Sequence, residues 1–191
     1  MDFNLSEEQA ALQAAARTFA RSEMLAVAEE TEREATPLSR DWLKRYAEMG
    51  FLGVNVSADY GGLGLGNVEA FLVLEEFAKI SSAVAFPIFE SVAGPVHALA
   101  HFADDALKQR VIPAVCRGEM IVAVAMSEPD AGTALTDLRT RAELRGDRVV
   151  INGAKRWCSG GGHSDAYLVY CRLSDAPGAK GIGAVYVDMG T

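Results

Sequence analysis

The sequence predicts an α+β protein: an all-α helical portion over 1–118, then an antiparallel β-barrel-like portion over 119–191 that reads as truncated. Three observations predict this. Apolar residues recur at helical spacing from the N-terminus to Gly118. After Gly118 the period shortens, and six stretches read as strands: Met120–Met126, Leu138–Leu144, Arg148–Ile151, Lys155–Ser159, Ala166–Arg172 and Ile182–Val187. The helices and strands are segregated along the chain rather than alternating, which separates α+β from a parallel α/β sheet.

Each helix has its own signals. Ser6 followed by Gln9 forms a capping box, with Glu7 and Glu8 at the positive end of the helix dipole. Leu12, Ala16, Phe19, Ala20, Met24 and Val27 form one apolar stripe behind it. Thr36-Pro37 predicts the start of a second helix with the apolar face Leu38, Trp42, Tyr46 and Met49, ended by Gly50. The stretch YGGLGLG, Tyr60 to Gly66, lacks the G-x-G-x-x-G spacing of a nucleotide loop and follows helices, so it reads as a structural turn. Asn67 is the expected cap of a third helix with the core face Phe71, Leu74 and Ala78. Ser82 to Phe102, interrupted by Pro87 and Pro95, reads as a buried helix pair or a kinked helix. Asp104 or Asp105 caps the last helix, bearing Leu107, Val111 and Val115; Pro113 bends it and Gly118 stops it. In the second portion Asn152-Gly153 signals a hairpin. Ser174 to Gly181 is a polar turn.

Composition narrows the function classes. Half of the 191 residues are hydrophobic and 23% are charged, ample for a buried core and unlike a disordered chain. The net charge of −8 argues against nucleic acid as a partner, since phosphate binding needs a basic surface. Three cysteines, Cys116, Cys158 and Cys171, show no C-x-x-C spacing and suit a reducing cytoplasmic location. His97 and His101 stand four apart but have no neighbouring Glu or Cys, so two ordinary helix histidines outweigh a metal site. No apolar run is expected to span a membrane.

Two stretches carry the candidate chemistry. In AMSEPDAGT, Ala125 to Thr133, an apolar strand breaks into a loop that presents Ser127, Gly132 and Thr133 together. Such a loop fits a phosphate or cofactor edge, or an ordinary surface turn. Glu128 has the plain reading of a loop anchor. In NGAKRWCSGGGHSD, Asn152 to Asp165, a strand would place Lys155, Trp157 and Ser159 on one face and Arg156 and Cys158 on the other. An indole beside a hydroxyl suits a flat aromatic cofactor, and equally a tryptophan at a barrel rim.

Together, AMSEPDAGT and INGAKRWCS resemble the paired middle-domain motifs of the acyl-CoA dehydrogenase family. YGGLGLG, FNLSEEQ and KQRVIPAVCRGE are similar to that family as well, and the likeness covers essentially the whole chain in order. The resemblance implies an oxidoreductase of fatty acid metabolism: an FAD flavoprotein that desaturates an acyl-CoA thioester between its α and β carbons. Electrons would pass to an electron-transfer flavoprotein. A homo-oligomer, a tetramer in the complete protein, is also implied. By position, the resemblance gives Met126 and Ser127 to the flavin, with Val124 as a weaker candidate, and Gly132 and Thr133 to the flavin and the thioester. It packs Trp157 on the flavin, with Cys158 and Ser159 at its edge, and assigns Phe89 and Glu90 to the acyl pocket. The loop departs from the family at Ala134, where many members carry Asp, and Gly160 to Gly162 make a looser turn, so the substrate class is open. In the family the catalytic glutamate comes from a further C-terminal helical bundle, so no base is assigned here and the 191-residue chain by itself is expected to be inactive. The alternatives are a flavin monooxygenase or oxidase on the same scaffold, and a non-catalytic paralogue.

Overall fold

The structure, a computed structural model, describes residues 4–190. Phe3 of the FNLSEEQ stretch and the terminal Thr191 lie outside the described residues. The chain divides into two compact units, Met1–Met120 and Ile121–Thr191.

The first unit holds six α-helices among its described residues: α1 Glu7–Glu34, α2 Arg40–Glu48, α3 Asn67–Ala78, α4 Ser82–Val92, α5 Pro95–Phe102 and α6 Asp105–Cys116. Helix α1 opens on the expected capping box: the Gln9 N–H donates to Ser6 Oγ at 3.2 Å, and the Ser6 N–H donates to Gln9 Oε1 at 3.0 Å. Its stripe buries Ala16, Phe19, Ala20, Met24 and Ala28. Helix α2 does not start at Thr36-Pro37. The Thr36 N–H still donates to Thr31 O, behind the left-handed Ala35 that caps α1, so Thr36 closes the first helix and Ser39 stands at the N-cap of the second. Asn67 is not the cap of α3 either. Gly66 takes that position, and Asn67 Oδ1 accepts from Asn55 Nδ2 at 2.7 Å.

The core face of α3 is rotated from the expected one. Ala70, Val73, Glu76 and Phe77 are buried, Leu74 is partly buried, and Phe71 and Ala78 are exposed. The reason is an aromatic cluster, in which Phe77 packs against Phe19, Tyr46 and Phe51 with ring centroids 5.8, 5.0 and 5.2 Å apart. Those three rings come from α1, α2 and the segment after α2, and they fix which side of α3 turns inward. Phe77→Ala would cost about 4 kcal/mol at such a fully buried site. Glu76 is buried on the same face because Arg17 and Lys79 bind it, at 3.0 and 2.8 Å. Its carboxyl is held down at about 2, first by the Arg17 hydrogen bond and then, against the cost of burial, by Lys79.

Ser82–Phe102 is the expected helix pair, α4 with Pro87 inside and α5 opening on Pro95. At 21 residues the stretch is long and apolar enough to cross a membrane by length and composition, contrary to expectation, and half of its most apolar window is buried. Asp104 caps α6 through the Leu107 N–H at 2.8 Å, as expected.

The second unit is a five-stranded mixed sheet: β1 Val122–Ala125, β2 Arg141–Arg145, β3 Arg148–Asn152, β4 Ala166–Arg172 and β5 Ile182–Asp188. Strands β2–β3 and β4–β5 pair antiparallel, whereas β1–β4 and β2–β4 pair parallel, so the expected wholly antiparallel arrangement is corrected to a mixed one. Apolar alternation marks strands but not their direction, and β1 reaches β4 only after a connection of some forty residues, long enough for a parallel crossover. The tight hairpin is at Gly146-Asp147, between paired Arg145 and Arg148, and not at Asn152-Gly153. Gly146 has φ +66, which suits a two-residue hairpin turn. Gly153 instead lies against Thr140, where a Cβ would come within 2.6 Å of the Thr140 Cα. The stretch Lys155–Ser159 is not a strand.

Candidate functional site

Strand β1 ends at Ala125, and the chain turns through Glu128-Pro129-Asp130-Ala131, a turn closed by reciprocal backbone hydrogen bonds between Glu128 and Ala131. Beyond it Gly132 and Thr133 are exposed. A Cβ built on Gly132 would meet nothing within 4 Å. The Ser127 and Thr133 hydroxyls have no hydrogen-bond partner among the described residues. This loop therefore offers two uncommitted donors beside a side-chain-free gap.

Glu128 anchors the loop from inside, the plain role its position suggests. Its carboxylate is 6% exposed and accepts from the Arg139 N–H at 2.6 Å, the Thr140 N–H at 2.9 Å and Lys155 Nζ at 2.8 Å. Burial pushes this carboxyl up, but the Lys155, Thr140 and Arg139 donors outweigh it and hold it at about 2.

The segment after β3 runs beside β1 without joining the sheet as a strand. Lys155 Nζ donates to Met126 O at 2.8 Å, the Arg156 N–H to Ser127 O at 3.0 Å, and Cys158 Sγ to Val124 O at 3.2 Å. Trp157 has φ +60, a left-handed conformation that a bulky residue rarely adopts. That residue breaks the alternation, so the expected common face of Lys155, Trp157 and Ser159 is corrected. Lys155 turns inward to Glu128, whereas Trp157 is 79% exposed beneath the Arg156 guanidinium, 4.2 Å from the ring centroid.

The expected flavin residues all lie in the second unit. Val124, Met126 and Cys158 are half-buried along the seam between β1 and the Trp157 segment, and Ser127 is half-buried at its end. Gly132, Thr133, Trp157 and Ser159 are exposed. Asp137 sits in a short 3-10 turn and is exposed. Phe89 and Glu90 belong to the first unit, on α4. Phe89 packs on Phe86 at 5.5 Å and is half-exposed. Glu90 is 8% exposed with no hydrogen-bond or ion-pair partner among the described residues, and burial raises its carboxyl to about 8. The sequence motifs do not reveal the Glu128–Lys155 pair. The two are 27 residues apart with no local spacing between them, and the only available signal is a charged residue beside each apolar run.

Residues 6–119 match the model of the acyl-CoA dehydrogenase N-terminal domain, and residues 123–191 match the model of the middle domain. The chain is 34% identical over 190 residues to the mitochondrial isovaleryl-CoA dehydrogenase of Pongo abelii, covering 97% of this chain and 45% of that one. Among solved structures, acyl-CoA dehydrogenase from Geobacillus kaustophilus matches at TM-score 0.89 and 29% identity, over 100% of this chain and 50% of that one. An FAD complex of PigA matches at TM-score 0.90 and 27% identity, with the same coverage. The chain spans about half the length of the curated relatives it matches. With a helical unit, a mixed-sheet unit and both motif loops in order, the chain belongs to the acyl-CoA dehydrogenase family.

Proposed function

We propose that this chain forms the N-terminal and middle portions of an FAD-dependent acyl-CoA dehydrogenase that desaturates an acyl-CoA thioester. One observation carries the reading. The Met126–Thr133 loop and the Trp157 segment are hydrogen-bonded side by side, yet leave the Ser127 and Thr133 hydroxyls and the Gly132 gap uncommitted, with the Trp157 ring exposed beneath Arg156. These groups fit a flavin: a flat apolar face for the ring, neutral donors for its polar edge, and a backbone position without a side chain for close approach. The PigA complex with FAD supports the same cofactor.

When bound, FAD supplies the acceptor for the hydride that leaves the β carbon. The residues of this chain bind and orient. Ser127 donates to the flavin edge, Thr133 serves both flavin and thioester, and Met126, Val124, Cys158 and Ser159 shape the pocket around them. Neutral hydroxyl donors polarise the acceptor without placing a full charge beside it. Trp157 packs on the ring and excludes water from it. Phe89 and Glu90 contribute to the acyl pocket, with Glu90 as a neutral carboxylic acid at pH 7 because burial holds its proton. No residue here is assigned as the base for the α proton. Electron-transfer flavoprotein as acceptor, a homo-oligomer and a cytoplasmic setting belong to the same proposal.

The test is flavin content by absorbance. Trp157→Ala should weaken FAD retention roughly tenfold, since a packed aromatic contact is worth on the order of 1 kcal/mol beyond its area. Unchanged flavin content in Trp157→Ala would overturn the assignment.

A further inference from the structure

Trp157 is held out into solvent by a backbone that an L-residue of its size resists, so something must fix it. The residues on both sides are tied to the strand that carries the other loop: Lys155 to Met126 O, Arg156 to Ser127 O and Cys158 to Val124 O. Only one of these residues also makes a buried ion pair, Lys155 with Glu128, whose side chains are 13% and 6% exposed. The same carboxylate also binds the Arg139 and Thr140 N–H groups, which ties the start of the Ser127–Thr133 loop to the chain that enters β2. We infer that the Glu128–Lys155 pair is a positioning clip that locks the Trp157 segment and the Ser127–Thr133 loop in one register, so that the indole and the two hydroxyls face a common ligand. This deepens the proposed flavin reading and rests on it for the identity of that ligand.

Several features give the clip its leverage. Lys155 reaches two acceptors at once, a backbone carbonyl on one loop and the carboxylate that orders the same loop. Removing its charge leaves Glu128 buried among backbone donors with no counter-ion, while the Lys155 stem can still fill its space as methionine. Such supporting pairs set how closely a ligand-contacting group keeps its geometry. Glu128 and Lys155 are therefore positioning residues. They reach the ligand only through Ser127, Thr133 and Trp157.

The chain has two tryptophans, Trp42 and Trp157, so a Trp42→Phe background isolates Trp157 as the sole indole emitter. In that background Lys155→Met should increase the segmental motion of Trp157 in time-resolved anisotropy and raise its acrylamide quenching, with no flavin present. FAD affinity of the same variant should fall roughly tenfold, and Lys155→Arg, which keeps the charge, should restore most of it. A folded Lys155→Met protein with unchanged Trp157 motion and unchanged FAD affinity would overturn the clip. If Lys155→Met fails to fold, Glu128→Gln decides: it keeps an acceptor oxygen but loses the ion pair, and must loosen Trp157 in the same way. If the parent chain binds no FAD, the flavin reading fails while the anisotropy comparison still decides the clip.

Discussion

Two loops in this chain carry glycines at turns, and they do opposite things with them. In the YGGLGLG loop, Gly62 is closed in by its own chain: a Cβ there would come within 2.6 Å of Gly53 O and would strike Val56 O. In the loop after β1, a Cβ on Gly132 would meet nothing within 4 Å. The first glycine is required by packing. The second is not, and its openness has to be explained by something outside the unit or by nothing. Sequence alone sees the same residue type in both loops; the separation comes from what surrounds each backbone. The Gly62 loop is a structural turn, as its failed nucleotide spacing suggested, and its backbone N–H groups are spent on Val54 O, Val56 O and Gly53 O.

The largest effect that can break this contrast is Gly62→Ala. Forcing a Cβ against two backbone carbonyls should destabilise the helical unit by about 3 kcal/mol, the upper range for overpacking. Denaturant unfolding of the variant measures it, and a loss below about 1 kcal/mol would mean that the loop yields and the closure is not a constraint.

A second contrast of the same kind lies between two buried carboxyls of the helical unit. Glu76 is matched by Arg17 and Lys79 and is held at about 2, whereas Glu90 has no partner among the described residues and is raised to about 8. Their linkages have opposite signs. Glu76 contributes stability above the ordinary glutamate range that is lost as pH falls toward about 2. Glu90 keeps its proton in the folded state while the unfolded chain has released it, so folding takes up a proton and stability falls as pH rises from about 4.5 through about 8. Glu90→Gln removes that penalty and should stabilise the unit by on the order of 2 kcal/mol at pH 8 and change little at pH 4. Stability curves against pH check it. An equal gain at both pH values would show that the substitution acts through packing and not through the proton.

Local chemistry makes much of the fold legible in the sequence itself. The capping box at Ser6, the stripe of α1, the Asp104 cap and strand β4 follow directly from it, because caps and periodicity are settled within a few residues. What the sequence does not show depends on distant partners. The inward side of α3 is set by Phe19, Tyr46 and Phe51 and not by its own apolar count. The strand expected at Lys155–Ser159 does not form because Lys155 reaches Glu128 and Trp157 adopts a left-handed backbone. The parallel pairing of β1 with β4 links residues 44 apart, Val122 with Ala166, and nothing in either stretch records its direction. In the candidate site, the Ser127 and Thr133 hydroxyls and Trp157 are readable as residue types in motifs, whereas the ion pair behind them is not.

A smaller effect sharpens the glycine contrast from the backbone side. Gly61 has φ +83, and a Cβ there meets nothing within 4 Å. Gly61→Ala should therefore cost about 1 kcal/mol, from the left-handed backbone alone and not from packing. A loss matching that of Gly62→Ala in the same unfolding experiment would show that the two neighbours are not limited by different terms.

The smallest expected effect on stability is at Gly132. It is not among the glycines with positive φ, and the space around its missing Cβ is empty. Neither backbone strain nor packing then opposes a side chain, and Gly132→Ala should change stability by less than about 0.5 kcal/mol, as a surface substitution does. If the gap is where a flavin or thioester approaches the backbone, the cost moves entirely into binding. Gly132→Val should then lose FAD in a gel-filtered sample while its unfolding midpoint stays within the range of Gly132→Ala. The pairing of those two readouts is what makes the experiment decisive. Loss of both stability and flavin would place Gly132 with Gly62, as a glycine that the loop itself requires. Retention of both would mean that the opening faces only water, and the loop after β1 would no longer support a ligand at that position.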